Sequence, residues 1–300
     1  MKKNALILGL GFLGTNIAEE LHDEYNIIAF SHDVNDWQKT YQGDFTKKDD
    51  LETVFKKYTI NLVIHALSTT IPSNNEISYD IRSNLLGTIQ LLDLMKDYSV
   101  PKIVFLSSGG TVYGRISDDR PVSENHATNP ICSYGITKLA IEKYIALYQY
   151  LYHIDYVILR ISNPYGENHF SDKHGFINVS LKKILRHEKI TVWGDGEVVR
   201  DYLYVQDVAK ILHMLLKKNV TQKILNIGSG EGHSINSVLA VMRKQIGDFR
   251  VEYTSSRSFD VPKIVLDTYK LQSLISYQLT TIEEGINRTY RWLQKNTHER

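Results

Sequence analysis

The tightest constraint on the fold is a glycine spacing near the start of the chain. Gly9, Gly11 and Gly14 form GxGxxG between the apolar run ALILGL and the amphipathic stretch 15–21. In a strand–turn–helix unit the first glycine permits the tight turn, the second lets the backbone approach a pyrophosphate, and the third lets the helix pack on the strand. The N–H groups that open such a helix, those of Gly11, Phe12, Leu13 and Gly14, point out of the turn, and with the helix dipole they favour a diphosphate. The spacing therefore predicts a βαβ start and a dinucleotide ligand.

The first two thirds of the chain keep the same rhythm. NIIAF, NLVIHAL, KIVFLSS and YVILRIS are short, apolar and β-branched, and the segments between them are long enough for helices. That is the pattern of a parallel sheet covered on both faces. Apolar residues recurring at three and four predict helices over 15–21, 49–58, 84–98 and 133–150. The fold class is a doubly wound α/β Rossmann domain. After Arg160 the pattern loosens into ISNPYGENHFSDKHGF, a basic helix near 178–187 and ITVWGDGEVVRDYLYV, which suggests a smaller interleaved lobe. The expected division is a dinucleotide-binding domain over 1–163, rejoined by 205–228, with a substrate lobe over 164–204 and 229–300.

A chain of 300 residues with 42% hydrophobic content can build such a core, and its formal net charge of +1 gives no overall drive toward nucleic acid or an anionic membrane. No run approaches the roughly 18 apolar residues of a membrane span. The N-terminal apolar run is broken by glycines and flows into the amphipathic stretch, so it reads as strand and helix and not as a signal peptide, and a cytoplasmic protein is expected. The single cysteine, Cys132, excludes an intramolecular disulfide and a cysteine-built zinc site. The eleven histidines show neither HExxH nor paired spacing, and no metal is expected.

A dinucleotide fold places an acid for the adenosine ribose at the end of its second strand. Here NIIAF runs into Ser31, His32 and Asp33, and the acid's place falls on Ser31 or His32. A missing carboxylate removes repulsion against a 2′-phosphate, but no arginine stands ready to clamp one, so NAD and NADP both fit, with NADPH favoured. The turn Gly43-Asp44-Phe45 offers either a carboxylate and a ring to the adenine, or an acid that caps the following helix. Tyr134 and Lys138, four apart at the start of a helix, share one face. A nearby ammonium favours the phenolate, so this tyrosine can accept and donate the proton of a hydroxyl or carbonyl.

With Tyr134 and Lys138 placed after the KIVFLSS strand, the chain resembles the extended short-chain dehydrogenase/reductase family: NAD(P)-dependent nucleotide-sugar epimerases, dehydratases and 4-keto reductases. The matching segments span nearly the whole chain. They are Asp44-Phe45, HALSTT from His65, Asn84 in NLLGT, SSGGTVYG from Ser107, LRISNPYG from Leu159, RDYLYVQDVA from Arg200, NIGSGEGHS from Asn226 and RSFDVPKIVLD from Arg257. The resemblance implies a cofactor on the main domain, a nucleoside-diphosphate sugar at the smaller lobe, and a homodimer. It also implies that Asn163, Arg200 and Arg257 contact the diphosphate or its nucleoside, a task suited to the arginine fork. Asn84 takes the place that steadies the catalytic helix and its water.

One position departs from the family pattern. Where the family usually carries the serine or threonine that holds the sugar oxygen, this chain has Gly109. If the strand continues, Thr111 shares a face with Gly109 and is the first candidate for the hydroxyl, with Ser108 and Ser107 behind it. The 4,6-dehydratases of the family carry an Asp-Glu pair at the residues occupied here by Gly110 and Thr111, so dehydration is disfavoured. The expected activity is hydride transfer at C4 of a nucleotide hexose. A 4-keto-6-deoxyhexose reductase of surface-polysaccharide sugar synthesis is placed ahead of a 4-epimerase of the UDP-glucose/galactose type. A non-catalytic NAD(P)-binding sensor comes third, because Tyr134 and Lys138 are both retained. A thiol mechanism at Cys132 lacks an identifiable histidine partner.

Overall fold

In the computed structural model, which describes residues 2–32, 37, 39–73, 76–116, 119–256 and 261–296, the chain alternates strand and helix from the first glycine turn onward. It begins with β1 (Lys3–Leu8), α1 (Phe12–Leu21), β2 (Tyr25–Ser31), β3 (Thr40–Gln42), α2 (Lys48–Lys57), β4 (Leu62–His65) and α3 (Ile77–Asp80). A π-helical turn (Ile81–Leu86), α4 (Gly87–Asp97), β5 (Lys102–Ser108), α5 (Ser133–Tyr152) and β6 (Asp155–Ile161) follow. The chain leaves the sheet through β7 (Asn163–Tyr165), α6 (Phe176–Leu185), β8 (Ile190–Trp193), β9 (Val199–Arg200) and β10 (Tyr202–Tyr204), and returns as α7 (Val205–Lys217) and β11 (Lys223–Ile227). It ends with β12 (His233–Ser234), α8 (Ile235–Ile246), β13 (Val251–Thr254), β14 (Lys263–Ile264), α9 (Tyr269–Leu274) and α10 (Ile282–Asn296).

Seven strands form a parallel sheet in the order β11-β6-β5-β4-β1-β2-β3. Its strands read as unbroken apolar runs because alternate residues enter two different cores. Ala5 and Ile7 of β1 pack with Ile17 and Leu21 of α1 and Val208 and Leu212 of α7. Leu6 and Leu8 pack on the other face with Leu51, Leu91 and Ile141 from α2, α4 and α5. Strand order reverses between β1 and β4, which opens a crevice at their C-terminal ends, beside Gly9 and Ala66.

The smaller lobe has its own core, with Tyr165, Ile177, Leu181, Val192, Leu239 and Ile286 buried together. The segment 229–300 is not all lobe, however. Helix α9 lies against β11, and Leu271 and Ile275 enter the main core, because the apolar side of this short helix covers the sheet's last strand. The helix expected over 84–98 also begins differently. The wider π turn brings the consecutive residues Ser83 and Asn84 inside before α4 starts. Among the described residues no helix is long and apolar enough to cross a membrane.

Candidate active site

A cleft of about 2460 Å³ runs from the glycine turn, over the C-terminal ends of β1 and β4 and past Tyr134, to Arg200 and Trp193 of the smaller lobe. Sites for a single small ligand are typically ~300–1,000 Å³, so this cleft has room for two ligands placed end to end.

At its first end the glycines divide their roles by geometry. Gly9 has φ +86°, and a Cβ there would press on the Leu67 Cα at 2.8 Å. A Cβ on Gly14 would collide with the Gly9 carbonyl, whereas a Cβ on Gly11 would meet nothing within 4 Å. Two glycines thus bring helix onto strand, and the third leaves the cleft floor bare, as a pyrophosphate cradle requires. The N–H of Gly9 is not part of that cradle, since it donates to the Phe30 carbonyl at 2.9 Å. The first intrahelical bond runs from Thr15 N–H to the Gly11 carbonyl at 3.0 Å, so the N–H groups of Gly11, Phe12, Leu13 and Gly14 are those left for an anion.

Ser31 and His32 line the cleft at the end of β2, and neither brings a carboxylate; Asp33 lies outside the described residues. Asp44 also lines the cleft, but its Oδ1 accepts from the Thr46 hydroxyl at 2.7 Å and the Thr46 N–H at 2.9 Å. Those bonds hold its carboxyl below the usual carboxylate range and make it the acid of the turn that leads into α2. Phe45 lines the cleft as well, but most of its side chain packs inward. That ring is buried in the core against the bare Cα of Gly87, where a Cβ would stand 2.7 Å from it, and 5.3 Å from the His65 ring.

Helix α5 brings Tyr134 to the middle of the cleft and buries Lys138 beside it. Its buried positions Gly135, Thr137, Lys138, Ile141, Glu142, Ile145 and Tyr148 recur at three and four, which fixes the rotation of the helix against the sheet. The Lys138 Nζ donates to the Leu106 carbonyl at 3.0 Å and lies 5.7 Å from the centre of the Tyr134 ring. Burial pushes the Lys138 ammonium down to about 8 and the Tyr134 phenol up to about 12. A hydrogen bond shared with the Ser68 hydroxyl works against the latter shift. At neutral pH the phenol is protonated and the ammonium is predominantly charged.

The strand-parity argument for Thr111 fails on its premise. β5 ends at Ser108, and the N–H groups of Thr111 and Val112 turn back to the Ser108 carbonyl at 3.4 and 3.2 Å. Even so, Thr111 and Ser108 both line the cleft, and the Thr111 Oγ1 is buried without a hydrogen-bond partner. Ser107 is no candidate, because its hydroxyl donates to Glu142 Oε1 at 2.5 Å inside the protein. A hydroxyl residue at position 109 would not fit either: a Cβ there would stand 2.6 Å from the Leu266 Cδ1 and 2.9 Å from the Arg160 carbonyl.

Asn84 does not line the cleft. Its Oδ1 accepts from the Thr69 N–H at 3.0 Å, and its Nδ2 donates to Thr70 Oγ1 at 3.0 Å and Asp80 Oδ1 at 2.9 Å, so it shapes the loop that does. Asn163 and Arg200 line the far end of the cleft, while Arg257 lies outside the described residues. Asn163 is held by two bonds to the Asp201 carbonyl, from its N–H at 3.0 Å and its Nδ2 at 3.1 Å.

Sequence reasoning missed the supports behind these groups. The buried Asp201 carboxylate accepts the N–H groups of Ser229, Gly230 and Leu266, and so ties three loops together behind Asn163 and Arg200. Glu142 forks with Arg160, whose Nη1 donates to the Tyr113 hydroxyl at 3.0 Å. Ser68 stood inside a quoted segment, yet nothing local marked it as the partner of Tyr134.

The family model described as NAD dependent epimerase/dehydratase matches residues 5–228. A putative UDP-glucose 4-epimerase from Methanocaldococcus jannaschii is 37% identical over 303 residues, covering 96% of this chain and 97% of that one. A dTDP-4-dehydro-6-deoxyglucose reductase from Escherichia coli is 29% identical over 313 residues and 96% of each chain. Among solved structures, the fold is similar to UDP-glucose 4-epimerase from Thermotoga maritima with UDP-glucose. The TM-score is 0.93 over 98% of this chain and 99% of that one, at 28% identity.

Proposed function

The chain belongs to the NAD dependent epimerase/dehydratase family, and on that premise we propose that it is an NAD-dependent 4-epimerase of a nucleoside-diphosphate hexose, of the UDP-glucose/galactose type. The observation that carries this reading is the placement of Tyr134 at the middle of a two-ligand cleft, between the glycine turn and Arg200, with the Lys138 ammonium buried beside its ring. Gly11, Phe12, Leu13 and Gly14 would hold the dinucleotide's pyrophosphate. When bound, the dinucleotide supplies the acceptor and donor of the C4 hydride.

The chain's own residues handle binding and the proton. Asn163, Arg200 and Arg257 hold the substrate's diphosphate or its nucleoside. Tyr134 takes the proton of the C4 hydroxyl and gives it back to the other configuration. In the free protein burial makes its phenol hard to ionise; a nearby ammonium and the positive charge of an oxidised nicotinamide would favour the phenolate that takes the proton. The hydroxyl of Thr111, with Ser108 as second candidate, would hold the C4 oxygen as charge develops on it.

Epimerase is preferred to reductase because the archaeal relative, at 37% identity over nearly the whole of both chains, bears that name. The reductase reading, with NADPH as donor, keeps one observation in its favour: Ser31 and His32 put no carboxylate at the end of β2. Incubation of the protein with UDP-glucose or UDP-galactose, and with 4-keto-6-deoxyhexose nucleotides plus NADH or NADPH, separates the two. Interconversion of the first pair without net cofactor consumption is the expected result. Stoichiometric cofactor oxidation with no interconversion would establish the reductase.

A homodimer is part of the same proposal. Ile136, Tyr144, Leu147 and Leu151 stand exposed along one side of α5, an apolar stripe that a second copy of the chain would cover. Light scattering should give twice the chain mass.

A further inference from the structure

A buried ammonium is costly unless a counter-charge compensates it, and the groups around Lys138 leave one candidate. Lys138 is 5% exposed, and its one protein acceptor is the neutral Leu106 carbonyl. Glu142, one turn further along α5, is already matched: its Oε2 takes the Arg160 Nη2 of β6 at 2.7 Å, and its Oε1 takes the Arg160 Nε at 3.1 Å and the Ser107 hydroxyl at 2.5 Å. His65 of β4 contributes no charge, since burial pushes its imidazole down to about 3 and its Nε2 pairs with Thr88. Phe105 of β5 lies under the ammonium with its ring centre 4.7 Å away, and Tyr134 is a neutral phenol at working pH.

Asp80 remains. It closes α3, which packs against α5, and it is 1% exposed. Its Oδ1 accepts from Thr70 Oγ1 at 2.8 Å and Asn84 Nδ2 at 2.9 Å, both neutral donors. Its Oδ2 is buried with no hydrogen-bond partner, and among the described residues no cation is paired with it. One buried carboxylate without a cation and one buried ammonium without an anion thus occupy neighbouring elements.

We propose that Asp80 is a positioning residue whose carboxylate is the counter-charge of Lys138. The inference rests on the reading of Tyr134 and Lys138 as the proton pair and extends it: the acid that keeps the pair's cation charged sits outside the cleft, behind the loop that carries Ser68. Asp80 and Glu142 both favour the charged form of Lys138, but only Glu142 has a cation of its own. The same carboxylate reaches Tyr134 by a second route. Thr70, which donates to Asp80, accepts the Ser68 hydroxyl through its carbonyl at 3.0 Å, and Ser68 shares a hydrogen bond with Tyr134.

The test is a titration of the full chain labelled with [13Cε]lysine, followed by NMR, with the Lys138 resonance identified by its absence from Lys138→Met. Asp80→Asn keeps the shape of the side chain and an oxygen for Thr70 and Asn84, and removes only charge. The Lys138 inflection should fall by about one pH unit or more in that variant. It should return toward the wild-type value in Asp80→Glu, and stay put in Thr70→Val, which loses a hydrogen bond but no charge. If Asp80→Asn does not fold, Asp80→Ser reads the same loss of charge. An unmoved inflection in a folded, charge-free variant overturns the proposal. No turnover is needed for this measurement, so a chain that fails as an epimerase still answers it.

Discussion

The ammonium of Lys138 hangs from the Leu106 carbonyl at 3.0 Å, so a cation carried by α5 is fixed by the end of β5 and not by Tyr134. Tyr134→Phe should therefore leave the cation, the helix and ligand binding in place and delete only the oxygen that carries the proton. Turnover is expected to fall by about a hundredfold to ten-thousandfold, the usual share of a general acid–base step, while nucleotide-sugar affinity measured by calorimetry stays near wild type. Near-normal turnover would move the proton to another residue.

The three glycines of the turn should fail in different ways. Position 11 has an ordinary φ of −85° and open space where a Cβ would go, so Gly11→Glu should fold normally and lose dinucleotide binding through bulk and negative charge at the pyrophosphate. Gly14→Ala puts a methyl group against the Gly9 carbonyl and should cost stability, about 1–3 kcal/mol as for other overpacked sites. Thermal melts and cofactor titration of the two variants check the contrast. Unchanged cofactor affinity in Gly11→Glu would contradict the placement.

The orphan hydroxyl of Thr111 gives a third outcome. With no partner inside the protein, it can be removed at little cost to the fold, so Thr111→Val should melt at or above the wild-type temperature. Its turnover should drop roughly ten- to a hundredfold with KM little changed, as expected for a donor that matters mainly in the transition state. Because β5 ends before this point and Ser108 also reaches the cleft, Ser108→Ala is the competing variant. Should it be the damaging change while Thr111→Val is silent, the role belongs to Ser108.

Stability at mildly acidic pH should carry the signature of His65. Burial holds its imidazole at about 3, against an ordinary 6.5, so the unfolded chain takes up a proton below pH 6.5 that the folded chain refuses. Stability contributed by the neutral imidazole is complete above that range and is lost as pH falls toward 3. His65→Gln should flatten the dependence of unfolding free energy on pH between 6 and 4 by about one proton, read from urea melts. An unaltered slope would mean that His65 does not stay neutral in the folded state.

Much of this was legible because the signals are local. The GxGxxG spacing, the apolar runs and the four-residue step from Tyr134 to Lys138 each depend on neighbours in the chain, and each folds as its periodicity dictates. What was illegible depends on partners far away. The hollow into which the Phe45 ring packs is left by Gly87, forty-two residues later. Thr111 was placed by a strand that stops three residues earlier, where the chain turns back onto the Ser108 carbonyl. The roles of Asp80 and Asp201 follow from which backbone groups and charges surround them, and no spacing along the chain encodes that.

The most direct test of the central claim uses UDP-glucose carrying deuterium at C4. Tyr134 and Lys138 handle only the proton on oxygen, so an epimerase lifts the deuteride from carbon and returns it to the same carbon from the other side. The account predicts UDP-galactose that retains the label at C4, seen by mass spectrometry and NMR, with no net change in NAD. Label lost to solvent, or label left on a reduced cofactor with no galactose isomer formed, would contradict it.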